Sequence, residues 1–321
     1  MFNYRHETTC KDLAAHAQYA EKITMHVAVT GTSGLVGSEL IPLLTTGGHD
    51  VTRLVRGEAG EGEVNWDSAA ETFDASTLDG VDAVVHLAGE NIAGGRWTAA
   101  MKQRIRDSRV EGTRVLCEGL AQMKSPPKVL VVASAIGFYG NRGDEVLDES
   151  SSAGEGFLSE VCEEWEAATQ PAKDAGIRVV NLRIGVVLSP KGGALAKMLT
   201  PFKLGGGGVI GNGRQYWSWI SIDDVAGAIH HALMTDSLSG PVNAVAPDPP
   251  TNREFTKTLG RVLRRPTILP MPAFAVKLAL GEMANDLLLA STRVEPTKLI
   301  ESGYKFRQPT LEKSLRHVLG K

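Results

Sequence analysis

Cysteine is scarce in this chain: Cys10, Cys117 and Cys162 are three among 321 residues, at no spacing that would build a disulfide framework or a thiolate metal site. They fit reduced thiols, and a cytoplasmic location is expected. Long apolar runs are missing too. No stretch approaches the length needed to span a bilayer, so no membrane partner is expected. Nor is there a basic run that could follow a phosphate backbone; 34 Lys and Arg stand against 37 Asp and Glu, for a formal net charge of −3, which argues against nucleic acid. The eight histidines form no metal set, and His230 and His231 are adjacent where a helical zinc pair needs a spacing of four. Residues 1–24 carry Arg5, His6, Glu7, Lys11, Asp12, Glu21 and Lys22 and lack the apolar segment of a secretory signal. They read as a helical leader or the remnant of an upstream domain. Deleting residues 1–22 is expected to cost little stability, since no buried strand goes with them.

Glycine and aliphatic residues are abundant. With 42% hydrophobic residues, the chain can bury one large α/β core with a smaller appended lobe. The most informative run is Thr30-Gly31-Thr32-Ser33-Gly34-Leu35-Val36-Gly37. It follows the apolar stretch 26–29 and precedes an amphipathic stretch, 38–46, as the turn between a buried strand and a helix would. In that place Gly31 permits a tight turn and Gly34 lets backbone N–H groups approach a pyrophosphate. Gly37 lets the helix pack closely with its positive end toward the anion. The glycines are spaced three and three.

Strand and helix signals then alternate. Strands are expected at 50–55, 64–66, 83–87, 128–133 and 177–182, with helices at 98–123 and 156–175. That order implies a doubly wound parallel-sheet Rossmann fold. Beyond residue 187 the pattern loosens into a Gly-rich stretch (205–213), a helix from Asp223 and a Pro-rich segment (247–272), where a small C-terminal substrate lobe would grow. The expected division is 25–188 for the dinucleotide-binding domain, with 219–246 returning to it, and 189–218 plus 247–321 for the lobe.

Several motifs resemble a known family. Thr30 to Gly37, the run Asp82 to Gly89, Val131-Val132-Ala133-Ser134-Ala135 and Trp219 to Ala226 occur in the order found in extended short-chain dehydrogenase/reductases. Ala88-Gly89-Glu90-Asn91-Ile92, Arg96-Trp97-Thr98, Gly137-Phe138-Tyr139-Gly140 and Arg183-Ile184-Gly185-Val186-Val187-Leu188 are similar to an atypical, epimerase-like branch of that superfamily, labelled nucleoside-diphosphate-sugar epimerase. The resemblance covers about residues 25 to 320 and implies a nicotinamide dinucleotide as cofactor.

Residues after the second strand discriminate between cofactors. An acid there would hydrogen-bond the ribose 2′-hydroxyl of NAD, whereas an arginine would attract the 2′-phosphate of NADP. Here Val55 stands in that place and Arg56 follows, so NADP is expected; the alternative for Arg56 is a solvated surface charge. Similarity to the atypical branch implies that Arg109 helps hold the cofactor. Its alternative is an exposed helix arginine paired with Glu111 or Asp107. The resemblance also implies that Leu87, Ala88 and Gly89 contact the adenosine half and that Val187 lies at the nicotinamide end.

The catalytic residues depart from the superfamily pattern. Its members transfer hydride with a serine, matched by Ser134, and a tyrosine with a lysine four positions later. The stretch 157–166, where that pair should fall, holds neither. Alignment on the helix glutamate puts Leu158 and Cys162 there; alignment on the aromatic puts Phe157 and Val161 there. Tyr139 is a candidate replacement, or else a structural residue of the strand exit. Glu163, Glu164 and Glu166 read as a solvated face. Trp217 stands where sugar-nucleotide enzymes carry a diphosphate-clamping arginine, with Arg214 three residues earlier. Trp217, Phe202 and Tyr216 would line an aromatic cleft or form core, and Trp219 reads as core.

Two functions remain open on sequence. One is an NADP(H)-dependent epimerase-like protein or oxidoreductase, with Ser134 polarising the oxygen of an unknown small carbonyl or hydroxyl substrate. The other is an NADP(H)-sensing binding protein that works through a partner. A homo-oligomer or an upstream domain would be compatible with either.

Overall fold

The structure, a computed structural model, describes residues 2–67 and 73–321. Helix α1 (Phe2–Ala17) comes first, followed by β1 (His26–Thr30), α2 (Gly37–Thr46), β2 (Asp50–Val55), β3 (Glu63–Asn65) and β4 (Ala83–His86). Next are α3 (Ala99–Ala121), β5 (Val129–Ala135) and the two-residue β6 (Val146–Leu147). Helices α4 (Phe157–Ala167) and α5 (Gln170–Asp174) lead into β7 (Arg178–Ile184) and β8 (Val186–Leu188). The remainder is α6 (Gly193–Lys203), β9 (Trp219–Ser221), α7 (Ile222–Met234), β10 (Gly240–Ala244), α8 (Asn252–Leu263) and α9 (Ala273–Leu280). Short β11 (Arg293–Val294), α10 (Thr297–Glu301) and α11 (Leu311–Leu319) close the chain.

Seven strands form one parallel sheet in the order β3-β2-β1-β4-β5-β7-β10. Chain order reverses between β1 and β4, so the crevice at their carboxyl ends is the topological switch point where dinucleotides bind in such folds. Alternation along the strands explains the two helical layers. Val27, Val29 and Val85 face α2 and α7, whereas Ala28, Val84 and Leu130 face α3 and α5. Segment 219–246 supplies α7 to one face and β10 to the sheet edge. A separate core forms in the C-terminal lobe from Leu188, Leu195, Phe202, Trp217, Trp219, Phe255 and Leu315.

The single helix expected over 156–175 is two. Pro171 in the first turn of α5 has no N–H to bond the Ala167 carbonyl and its ring crowds that carbonyl, so the chain breaks at Ala168–Thr169, where the Thr169 hydroxyl donates to the Glu166 carbonyl at 2.6 Å.

The leader does not stand apart. His16 meets His230 edge to face at 5.0 Å, and Tyr19 meets the same ring at 5.2 Å. Asp12 pairs with the buried Arg307 at 2.5 Å, and Lys22 donates to the Met234 carbonyl at 2.6 Å. His49 Nε2 lies 3.3 Å from His230 Nε2, so three imidazoles and a phenol fill the seam between α1, α2 and α7. These contacts run against the expectation that residues 1–22 are dispensable for stability. An α-helix can pack on a core without contributing a strand.

Candidate dinucleotide site and the surroundings of Ser134

Thr30 fastens the two strands that flank the switch point. Its hydroxyl accepts the amides of Leu87 and Ala88 at 3.0 and 3.2 Å and lies 2.8 Å from His86 Nδ1. Burial pushes His86 down to about 4, so the ring is neutral at pH 7 and can accept the Thr30 proton. Gly31, at φ +67°, has no room for a side chain: a Cβ would sit 2.8 Å from the Leu87 carbonyl carbon. A Cβ on Gly37 would lie 2.4 Å from the Gly31 carbonyl oxygen, and one on Gly34 3.1 Å from it. The glycines therefore fold the turn back on itself. Helix α2 then starts with Val36 at its N-cap and no side-chain cap. Ser33 and Gly34 are exposed, and Thr32, Leu35 and Val36 half-buried, so the N-terminal end of α2 is left for an anion.

Other expected cofactor residues cluster around this turn. Arg56 follows β2, which is paired with β1, and it is exposed, with no hydrogen-bond or ion-pair partner among the described residues. Leu87 and Ala88 are half-buried and Gly89 exposed at the end of β4. Arg109 folds beneath that loop: Nη2 donates to the Glu90 carbonyl at 3.0 Å and Nη1 to the Ile105 carbonyl at 3.1 Å, and its guanidinium lies 5.1 Å over the Trp165 ring. Neither carboxylate considered for it is its partner, since Glu111 pairs with Arg114 and Asp107 accepts from Gln103. Val187 is half-buried in β8, beside the turn where a Cβ on Gly192 would lie 3.3 Å from Leu35 Cδ1. The C-terminal lobe closes on the loop after β4, where Arg96 Nη2 donates to the Leu278 carbonyl and Lys197 Nζ to the Ala93 carbonyl, both at 2.5 Å.

The surroundings of Ser134 differ from the expectation. Its side chain points from β5 toward α4 and donates to Glu166 Oε1 at 2.8 Å. Glu166 is not on a solvated face. It receives Arg183 Nε at 2.7 Å and Nη2 at 2.8 Å in a two-point ion pair, with Arg183 only 4% exposed. The third guanidinium nitrogen donates to the Tyr139 hydroxyl at 3.0 Å, and the guanidinium lies 3.4 Å over the Phe138 ring. The Tyr139 proton lies between Asn243 Oδ1 at 2.7 Å and the Asp148 carbonyl at 2.9 Å. Tyr139 is completely buried, and burial pushes its phenol above the ordinary value.

Both catalytic candidates are bonded within the protein: Tyr139 is buried and ties the exit of β5 to β10, and the Ser134 hydroxyl donates to the Glu166 carboxylate. Sequence reading overlooked Glu166, although one signal was available. Arg183 ends the run Val179 to Arg183, which is buried throughout, and a cation there needs a counter-charge.

Leu158 and Cys162 occupy the first turns of α4. A Cβ on Gly137 would lie 3.2 Å from Leu158 Cβ and 3.8 Å from Cys162 Sγ. Burial raises the Cys162 thiol to about 12, so it stays protonated at neutral pH. Asp286, whose carboxyl is raised by burial and by Glu282, approaches the backbone of Leu158. Trp217 is core, its ring 5.3 Å from Phe255 and its Nε1 3.3 Å from the Leu288 carbonyl. Trp219 and Phe202 are core as well, whereas Tyr216 is half-buried beneath Arg293. Arg214 is exposed, at a groove shared with Lys277 and Ser291.

A family model described as the NAD dependent epimerase/dehydratase family matches residues 27–244. The chain belongs to that family. A second model, described as a domain of unknown function, DUF1731, matches residues 271–318, from the start of the α9 segment to α11. An epimerase family protein of Mycobacterium tuberculosis is 46% identical over 293 residues, 91% of this chain and 97% of the relative. The structure of human epimerase family protein SDR39U1 with NADPH superposes with a TM-score of 0.85 at 36% identity, over 92% of this chain and 99% of the human one. A nucleoside-diphosphate sugar epimerase from Corynebacterium glutamicum gives a TM-score of 0.83 at 38% identity; it matches 100% of this chain, which spans 64% of that protein. Among the described residues, no helix is long and apolar enough to cross a membrane.

Proposed function

We propose that this epimerase-family protein binds NADP(H) at the β1–α2 turn and does not use the serine–tyrosine–lysine proton relay of its superfamily. The uncapped α2 terminus behind Gly31, Gly34 and Gly37 would take the pyrophosphate, and the unpaired Arg56 would take the 2′-phosphate. Arg109, with no carboxylate partner among the described residues, would hold the loop after β4 against the cofactor. The NADPH in the human relative supports the same choice. Three free cysteines fit a reducing compartment such as the cytoplasm.

The observation that carries the reading is the contrast between this open turn and a Ser134 already bonded to Glu166. Calorimetric titration should give tighter binding of NADPH than of NADH, and equal affinities would overturn the cofactor assignment. NADPH consumption with small carbonyl compounds, lost in Ser134→Ala but not in Asp286→Asn, would overturn the account of the relay.

A second reading, an oxidoreductase on a small carbonyl or hydroxyl compound, is favoured by Asp286. Its half-buried, raised carboxyl lies near the backbone of Leu158, one of the positions where the superfamily tyrosine would stand. A carbonyl reduction whose acid limb is lost in Asp286→Asn, with NADPH affinity unchanged, would establish it.

A further inference from the structure

Exposed apolar side chains concentrate on one side of the C-terminal lobe. Leu204 and Ile268 are each 82% exposed, Phe274 73%, Leu278 77% and Leu269 62%. Hydrogen bonds hold the segments that carry them side by side. Arg265 Nε donates to the Lys203 carbonyl at 2.8 Å, the Met271 amide to the Val209 carbonyl at 2.8 Å, and the Gly211 amide to the Met271 carbonyl at 2.9 Å. Helix α9 continues from there, burying Val276 while Phe274 and Leu278, one turn apart, face outward.

The charge on these segments is of one sign. Residues 190–222 contain Lys191, Lys197, Lys203 and Arg214 and no acid; residues 255–281 contain Lys257, Arg261, Arg264, Arg265 and Lys277 and no acid. In a chain of net charge −3 this is a strong local asymmetry. Lys203, Arg264, Arg265 and Lys277 are exposed beside the apolar side chains. A second copy of the chain would bring two cationic faces together, and a nucleic acid would leave five aliphatic and aromatic side chains without an apolar partner. An anionic bilayer meets both requirements, since headgroups pair with the cations while the apolar side chains enter the acyl boundary.

We infer that this face docks on the surface of an anionic lipid bilayer. The inference goes beyond cofactor binding and does not depend on it. It revises the expectation of no membrane partner, which rested on spanning length alone; a protein that lies on a bilayer needs no spanning helix.

Co-sedimentation with vesicles of phosphatidylcholine, alone or mixed with phosphatidylserine, tests the inference on the full chain. Binding to the mixed vesicles should be about tenfold stronger and should weaken with added salt. Phe274→Ser/Leu278→Ser and, separately, Lys203→Glu/Lys277→Glu should each lower it about tenfold, with melting temperature and NADPH affinity unchanged because these side chains are exposed. Equal sedimentation with both vesicle types, or binding that survives both double variants, would overturn the inference. So would a dimer in gel filtration that Phe274→Ser/Leu278→Ser dissolves, which would assign the face to a second copy.

Discussion

The carboxyl ends of β1 and β5 lie two strands apart in one sheet, yet the polar groups around them are disposed in opposite ways. At β1, Ser33 and Gly34 are exposed, α2 lacks a cap, and Arg56 has no partner among the described residues. At β5, the hydroxyls of Ser134 and Tyr139, the Glu166 carboxylate and the Arg183 guanidinium bond one another. Unpaired donors at a surface are available to a ligand, whereas a satisfied buried network stabilises the fold and resists rearrangement. The β1 end thus leaves its polar groups open, and the β5 end binds its own together.

The strongest way to break this comparison is at Glu166. Glu166→Ala would leave Arg183 buried and unpaired and should cost about 3–5 kcal/mol in denaturant unfolding, while Ser134→Ala should cost only about 1 kcal/mol. NADPH affinity should survive Ser134→Ala; its loss would place Ser134 back in the site.

Next in size is the turn itself. Gly37→Val places a Cβ 2.4 Å from the Gly31 carbonyl oxygen, against 3.1 Å for Gly34→Ala. Calorimetry should show NADPH affinity falling about 100-fold or more for the first and far less for the second. Similar losses in both would mean that the turn adapts, contrary to the close approach described.

A third prediction sharpens the contrast between the sheet and the leader docked on it. Burial depresses His230 to about 3 and His231 to about 4, from 6.5, so both rings are neutral in the fold. The unfolded chain then binds more protons between those values. This stabilisation is whole above about 6.5 and is lost as the pH falls, at up to about 1.4 kcal/mol per unit for each ring. Deleting residues 1–22 should lower the melting temperature by several degrees at pH 7 and flatten its fall between pH 7 and 4. Unchanged curves would restore the view of an idle leader.

The smallest effect expected is that of Arg56→Ala. Losing one solvent-exposed, charge-assisted contact should weaken NADPH about tenfold and leave NADH unchanged. Equal weakening of both would place Arg56 on the pyrophosphate instead.

What could be read from the sequence follows from the range of the interactions involved. The β1–α2 turn was legible because a buried strand, three glycines and an amphipathic helix are consecutive, and six of the seven parallel strands were legible because each is a short apolar run between turn residues. The helix break at Thr169 was also written locally, in Pro171, but the helical periodicity on either side masked it. The role of Ser134 was not legible, because its partner lies 32 positions away and helical spacing within α4 gave no reason to turn Glu166 inward.

The sequence by itself thus determined six of the seven strands of the sheet and the glycine-rich turn after β1, through periodicity and steric rules that act over a few residues. Tertiary structure alone decided which charges meet. Arg183 found Glu166, and Asp12 found Arg307. The physical reason is that burial and Coulomb energy depend on distance in space, whereas positions in the chain fix only the neighbours along an element.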